Sequence, residues 1–167
     1  MDPIVTIATK KSEQFLRTPT KPFNFSRFTK VEVRNLVKRM REAMRQASGV
    51  GLSANQIGLS WRIFVAQVPD ADGKQKFYAV FNPTLSRPSK EFETTEEGCL
   101  SVPGKYGPTP RHYRVTLTGF DQYNRPVKIK AWGLLARVFQ HETDHLDGKL
   151  FVDRAERLIQ IETRDIK

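Results

Sequence analysis

Residues 141–148 read HETDHLDG, and this segment determines more of the expected architecture than any other part of the chain. It begins with a HExxH pattern, and the residues before it place apolar side chains at helical spacing: Leu134, Leu135, Val138 and Phe139. Residues four apart share one helical face, so both imidazoles can reach one metal ion while Glu142 acts as a general base. We therefore predict a helix from Trp132-Gly133 to Asp147-Gly148. Taken alone, its two histidines fit either a metal site or ordinary polar contacts on a helix, and a metal site is favoured because they are two of only three histidines in the chain.

A catalytic metal site of this type needs a third protein ligand and an open fourth position. Downstream candidates are Glu156 and Glu162, because the position at which one class of metallopeptidases has a third histidine is Phe151. The upstream candidate is Cys99, the single cysteine of the chain, in the segment EGCLSVPG at 97–104. A lone cysteine is often an inert buried residue. The flanking glycines instead predict a tight loop that can direct a thiolate toward a metal. From the residues alone, the third ligand can therefore be either Cys99 or a downstream glutamate.

A third segment, GVGLSANQIG at 49–58, is rich in glycine, which lets backbone approach backbone or ligand closely. It is not a phosphate-binding loop, because it lacks the Gly-Lys-Ser/Thr ending and does not follow a predicted strand. Read alone, the segment fits either a ligand-contacting loop or an ordinary loop after a helix.

The remaining patterns predict one more long helix and several strands. Thr29 and Glu32 form a capping box, apolar residues recur at helical spacing after them, and Ser48-Gly49 ends the helix. The predicted strands are Arg62–Val68, Lys76–Asn82, Lys90–Glu96, Tyr113–Phe120 and Pro126–Lys130. Because strands follow one another in hairpins, we predict an α+β fold, with antiparallel β-sheets packed around a central helix carrying the HExxH motif and with an N-terminal helix.

The length of 167 residues predicts one domain over 1–167. Within it we expect an irregular N-terminal arm at 1–28 and a short C-terminal segment at 153–167, with a short helix over Asp153–Glu162. The longest apolar run, 77–81, has five residues, whereas a membrane-spanning helix needs about 20. The N-terminal residues do not resemble a secretory signal, and one cysteine allows no internal disulfide. We therefore expect a cytoplasmic protein that does not contact membranes.

Positive charge is concentrated at the start of the chain. The formal net charge is +10, and residues 1–50 hold 11 basic and four acidic side chains, which is +7 of that total. Such a concentration can attract phosphate-rich partners such as RNA, but a solvated helix face with a polar lead-in is the more ordinary explanation.

Three segments resemble the motifs of the peptide deformylase family and occur in the same order: GVGLSANQ (49–56), EGCLS (97–101) and HETDHLDG (141–148). The family motifs are written GxGLAAxQ, EGCLS and QHExDHLxG, and Gln140 extends the third match. EGCLS followed by VPG resembles the type 1 branch. Ser53 departs from the usual Ala, and we expect this small polar change to be tolerated.

The resemblance implies a hydrolase that removes the formyl group from N-formylmethionyl peptides and releases formate. It implies that Cys99, His141 and His145 bind one divalent metal ion, Fe²⁺ in cells, with Zn²⁺, Ni²⁺ or Co²⁺ able to substitute. In this assignment Glu142 is the general base. The Gln56 side chain and the backbone N–H of Leu100 stabilise the oxyanion.

The resemblance also implies how substrate is bound. Val50, Leu134 and Val138 would line a slot for the methionine side chain, although helix packing also explains the last two. Gly51 and Gly98 would leave backbone groups free to pair with an extended peptide.

Further expectations concern the surroundings of the site, the partners and the rival functions. Arg111, Glu97 and Asp144 are expected to lie around the ligands, where an arginine that pairs with a carboxylate would fix the ligand geometry. The sequence does not indicate which carboxylate Arg111 pairs with. Association with ribosomes through the basic N-terminal third and a monomeric state are further expectations. A metallopeptidase would require a downstream ligand, and a non-catalytic binding module would show a damaged ligand or base.

Overall fold

The computed structural model describes residues 2–160. Its helices are α1 (Lys10–Leu16), α2 (Lys30–Gln46) and α3 (Gly133–Leu146). Its strands are β1 (Gly51–Ser53), β2 (Ile63–Pro69), β3 (Gln75–Ser86), β4 (Phe92–Cys99), β5 (Val102–His112), β6 (Arg114–Phe120), β7 (Pro126–Trp132) and β8 (Ile159–Gln160). Single turns of 3-10 helix lie at Phe25–Arg27, Ala54–Ile57 and Phe151–Asp153.

The strands form two sheets around α3. One has five strands in the order β1-β2-β3-β6-β7, and the other has three in the order β4-β5-β8. All the pairings between these strands are antiparallel. Helix α3 contacts strands of both sheets, including β1 and β5. The predicted α+β architecture, with the HExxH helix at its centre, is confirmed.

Helix α2 forms where the apolar periodicity places it. Thr29 is the N-cap and forms the predicted capping box with Glu32, which satisfies backbone N–H groups that have no partner within the helix. Val33, Met40 and Met44 are buried in a core cluster that α2 shares with β1 and β2. This packing fixes the chain at the entrance to β1, the first strand that reaches the site.

Helix α3 is anchored on one face and ends sharply. Phe139 is fully buried and its ring packs against Phe64 of β2 and Tyr78 of β3. The helix ends before Gly148, which has φ 74°. A Cβ at Gly148 would lie 2.2 Å from the carbonyl oxygen of Arg17, so only glycine allows this close approach to the N-terminal residues.

Two expectations about the termini differ from the structure, and one strand of the second sheet was not predicted. Residues 1–28 are not wholly irregular, because α1 forms there with a Thr9–Ser12 capping box and buries Leu16 completely. The helix expected at Asp153–Glu162 is wrong over the described residues, since the chain instead forms β8, which pairs with Lys105 and Tyr106 of β5. Glu162 lies outside the described residues.

The third difference is β5 itself, an 11-residue strand that follows the tight turn after Cys99. The sequence did not predict this strand because it is rich in proline and glycine, and proline has no N–H to donate to the hydrogen-bond ladder of a sheet. The described part of β8 pairs with β5 only at Lys105 and Tyr106. Pro108 and Pro110 lie beyond this pairing, so the side of β5 that faces β8 loses no ladder hydrogen bond at the two prolines. Over residues 2–160, no helix is both long enough and apolar enough to cross a bilayer.

Candidate active site

The end of β4 faces one side of α3, and this brings Cys99 to the two helix histidines. One ligand atom each from Cys99, His141 and His145 lies within 4.8 Å of the others. The Cys99 Sγ atom is 3.1 Å from Nε2 of His145. Among residues 2–160 this is the one group of three or more such side chains with metal-binding spacing. A thiolate with two imidazoles is a donor set that suits a divalent transition metal.

The orientation of His141 is set by a buried carboxylate. Its Nδ1 lies 3.1 Å from Oε2 of Glu97, which leaves Nε2 as the nitrogen available to a metal. Glu97 is itself held by Arg111, whose Nε and Nη2 each donate to it at 2.9 Å. Arg111 also donates to Asp144, and Arg154 donates to that same carboxylate at 2.6 and 2.8 Å. Arg111 thus pairs with both of the candidate carboxylates.

These contacts shift the protonation of the cluster. Burial raises the pKa of the Cys99 thiol, but the imidazoles of His145 and His141 outweigh burial and hold that pKa well below its usual value. Burial would likewise raise the pKa of Glu97, but hydrogen bonds with His141 and Arg111 lower it to about 2. The lowered pKa of Cys99 favours the thiolate, which is the form that binds metal, and Glu97 is a carboxylate at neutral pH.

Glu142 lies beside the cluster and is buried between α3 and β1. The Ser53 hydroxyl donates to Oε2 of Glu142 at 2.6 Å. On the same face of β1, a Cβ at Gly51 would lie 2.3 Å from Oε1, so glycine leaves the room that this carboxylate occupies. Burial raises the pKa of Glu142 above its usual value, although the charges of His141 and His145 oppose the shift. A higher pKa makes Glu142 a better proton acceptor.

Gln56 lies in the 3-10 turn that follows β1, and its side chain is fixed at both ends. Its Oε1 accepts the backbone N–H of Ser53 at 2.9 Å, and its Nε2 donates to the Ser101 hydroxyl at 3.1 Å. The same Nε2 lies 3.8 Å from Cys99 Sγ. Leu100 begins the turn that joins β4 to β5. Of the two groups expected to stabilise an oxyanion, the Gln56 amide therefore lies close to the sulfur, and the Leu100 N–H follows Cys99 directly in the chain.

A cleft of about 550 Å³ lies over this cluster. The five residues expected to bind substrate all line it, namely Val50, Gly51, Gly98, Leu134 and Val138. Val50 and Leu134 are 53% and 42% exposed, so their side chains are accessible to a ligand, whereas Val138 is mostly buried in the helix packing.

Sequence reasoning missed several further residues that line the cleft, among them Tyr106 and Arg137. Arg137 was detectable, because it lies four residues before His141 on the same helical face. Tyr106 was not, because it reaches the cleft through β5, where it packs so closely on Gly98 that a Cβ there would lie 2.5 Å from the ring.

The downstream ligand candidates do not join the cluster. Glu156 is exposed and does not belong to the metal-binding group, while Glu162 lies outside the described residues. Two helix histidines, an adjacent buried glutamate and a thiol at the base of an open cleft have the features of a metal-dependent hydrolase of the HExxH class.

Comparison with known proteins specifies the family. The family model described as polypeptide deformylase matches residues 1–160. The peptide deformylase of Acidothermus cellulolyticus is 46% identical over 139 residues, which are 83% of this chain and 72% of that relative. The crystal structure of the peptide deformylase of Thermotoga maritima superposes with a TM-score of 0.82 at 34% identity, covering 94% of this chain and 99% of that one.

A third similar structure is a class I type b peptide deformylase from Acinetobacter baumannii bound to Met-Ala-Ser. Its TM-score is 0.82 at 28% identity, and the match covers 92% of this chain and 99% of that one. The chain belongs to the peptide deformylase family. It is a metal-dependent hydrolase that removes the formyl group from the N-terminal formylmethionine of nascent polypeptides, releasing formate.

Proposed function

We propose that Cys99, His141 and His145 hold the metal ion on which the family depends, and that Glu142 is the general base. The observation that carries this proposal is the proximity of the three ligand atoms, within 4.8 Å, at the base of the cleft that Glu142 also lines. When bound, the metal polarises the scissile carbonyl and lowers the pKa of water from 15.7 to about 7.

Glu142 accepts a proton from the attacking water and later donates it to the amine nitrogen as the C–N bond breaks. The Gln56 amide and the backbone N–H of Leu100 donate hydrogen bonds to the oxygen on which negative charge develops. Both groups lie in turns, and the side-chain carbonyl oxygen of Gln56 already accepts the backbone N–H of Ser53, which orients the amide for this role.

Substrate lies along the cleft with its methionine side chain against Val50, Leu134 and Val138. Gly51 and Gly98 present backbone at the two edges, because β1 and β4 are terminal strands of their sheets over the described residues. An extended peptide can pair with such edges by strand addition. The bound Met-Ala-Ser of the Acinetobacter baumannii relative supports a peptide that starts with methionine.

The proposed metal in cells is Fe²⁺, with Zn²⁺, Ni²⁺ or Co²⁺ able to substitute. Ligand type alone does not select among these ions, and the affinity order favours zinc over ferrous iron. We expect the metal-free protein to be inactive, and anaerobic loading with Fe²⁺ to give faster formate release from formyl-Met-Ala than loading with Zn²⁺. Equal turnover with the two metals, measured at one metal per chain, would contradict the preference for iron.

The remaining proposals concern the setting of the enzyme. We place it in the cytoplasm as a monomeric, single-domain enzyme that meets its substrate at the ribosome through the basic N-terminal third. Arg34, Lys38 and Arg45 are exposed on α2 and support such a contact with RNA. Co-sedimentation with ribosomes should persist at physiological salt and decrease when these three residues are changed to glutamine. Absence of co-sedimentation even at low salt would exclude it.

A further inference from the structure

Strand β1 contacts both carboxylate oxygens of Glu142, and it does so with two residues on one face. Ser53 donates its hydroxyl to Oε2 at 2.6 Å, and Gly51 leaves the space that Oε1 occupies. Residues 51 and 53 share a face because side chains alternate along a strand. Ser53 is fully buried and Glu142 is 4% exposed, so water does not replace this contact.

The hydroxyl of Ser53 has one proton and two acceptors within reach. Besides Oε2, the backbone carbonyl oxygen of Glu142 lies 3.0 Å away. A bond to that carbonyl alone would be a structural link between β1 and α3. The shorter distance to Oε2, together with the stronger attraction of a charged acceptor, makes the carboxylate the preferred partner.

We propose that Ser53 is a positioning residue for the general base: its hydroxyl holds Oε2 of Glu142, which leaves Oε1, the oxygen beside Gly51, to receive and return the proton. The inference rests on the proposed role of Glu142. The water proton goes to Oε1 while the water oxygen bonds to the formyl carbon. That proton then passes to the amine nitrogen as the C–N bond breaks, which yields formate and the free N-terminus.

This contact gives a role to the one departure from the family motif. The motif usually has alanine at the position of Ser53, and alanine can neither donate to Oε2 nor restrict rotation of the carboxylate. A general base transfers protons efficiently only when its oxygen is aligned with the proton that it accepts. Loss of the Ser53 hydroxyl should therefore affect the chemical step more than substrate binding.

The test is the Ser53→Ala variant of the metal-loaded enzyme, assayed on formyl-Met-Ala. We expect kcat to fall about tenfold, the effect of losing one hydrogen bond to a charged group. KM and metal content should change by less than about twofold, since Ser53 does not bind substrate or metal in this scheme. Ser53→Thr keeps the hydroxyl on a strand that accepts β-branched residues, and it should retain most of the kcat.

A matched control separates positioning from stability. Thr109 is also fully buried and its hydroxyl donates to the carbonyl oxygen of Gly107, but it does not line the cleft. Thr109→Val should lower the Tm without lowering kcat. An unchanged kcat in Ser53→Ala, or a loss confined to the Tm as in the control, would overturn the inference. If Ser53→Thr does not fold, the kcat result for Ser53→Ala decides alone.

The failure of this inference can be distinguished from the failure of the proposed function. If Glu142→Gln is inactive while Ser53→Ala has full kcat, Glu142 is the base and Ser53 does not position it. If Glu142→Gln itself retains activity, the proposed base is wrong and the role of Ser53 is excluded with it.

Discussion

Glu142→Gln should yield a folded protein with one metal per chain whose turnover is lower by about 10²–10⁴, the usual contribution of a general base. The amide has the shape of the carboxylate, and its oxygen can still accept the Ser53 hydroxyl, so the packing between α3 and β1 is kept. It cannot accept a proton from water at neutral pH. Formate release from formyl-Met-Ala measures the loss, and metal analysis of the same sample shows that the site is filled.

The control for this substitution is Glu91→Gln, which makes the same change at an exposed glutamate that does not line the cleft. Its turnover should stay within about twofold of the parent, as for most surface changes. Near-normal turnover of Glu142→Gln would remove Glu142 from the role of base and leave the metal ligands unaffected by that conclusion.

Local patterns in the sequence predicted the parts of the fold that local forces determine. Helices α2 and α3 have apolar residues at helical spacing, and α2 has a capping box, so their bounds agree with the structure to within about two residues. Helix α1 was missed although Thr9 and Ser12 carry a local capping signal, because Pro, Thr and Lys dominate the surrounding residues. The described part of strand β8 has two residues and depends on pairing with β5, which no local pattern encodes.

The candidate site combines both kinds of information. HExxH places two histidines and a glutamate by helix geometry alone, whereas the third ligand depends on where a distant strand ends. Residue spacing left Cys99 and the downstream glutamates as alternatives, and the resemblance to a family favoured Cys99. Ser53 and Glu142 are 89 positions apart in the sequence, so no local pattern predicts their contact. The sequence indicated only that a small polar residue at position 53 would be tolerated.

Cys99→Ala should abolish both metal binding and activity. The change leaves only two imidazoles, from adjacent turns of α3, to bind the metal. Mutating residues that merely hydrogen-bond to metal ligands lowers metal affinity by about 10–100-fold, so we expect loss of a ligand itself to lower it by more than about 100-fold. Glu156→Ala is the control, because it removes a carboxylate that only the downstream alternative requires. It should keep one metal per chain and normal turnover, whereas one tightly bound metal in Cys99→Ala would exclude Cys99 as a ligand.

Thermal unfolding provides a second measurement that does not depend on catalysis. Cys99 is the only cysteine and forms no disulfide, so alanine removes no covalent link from the fold. A metal that binds only the folded state raises stability by RT ln(1 + [M]/Kd), which is about 2.7 kcal/mol when its concentration is 100 times Kd. Metal should therefore raise the Tm of the parent and of Glu156→Ala, while the Tm of Cys99→Ala should stay at that of the metal-free parent.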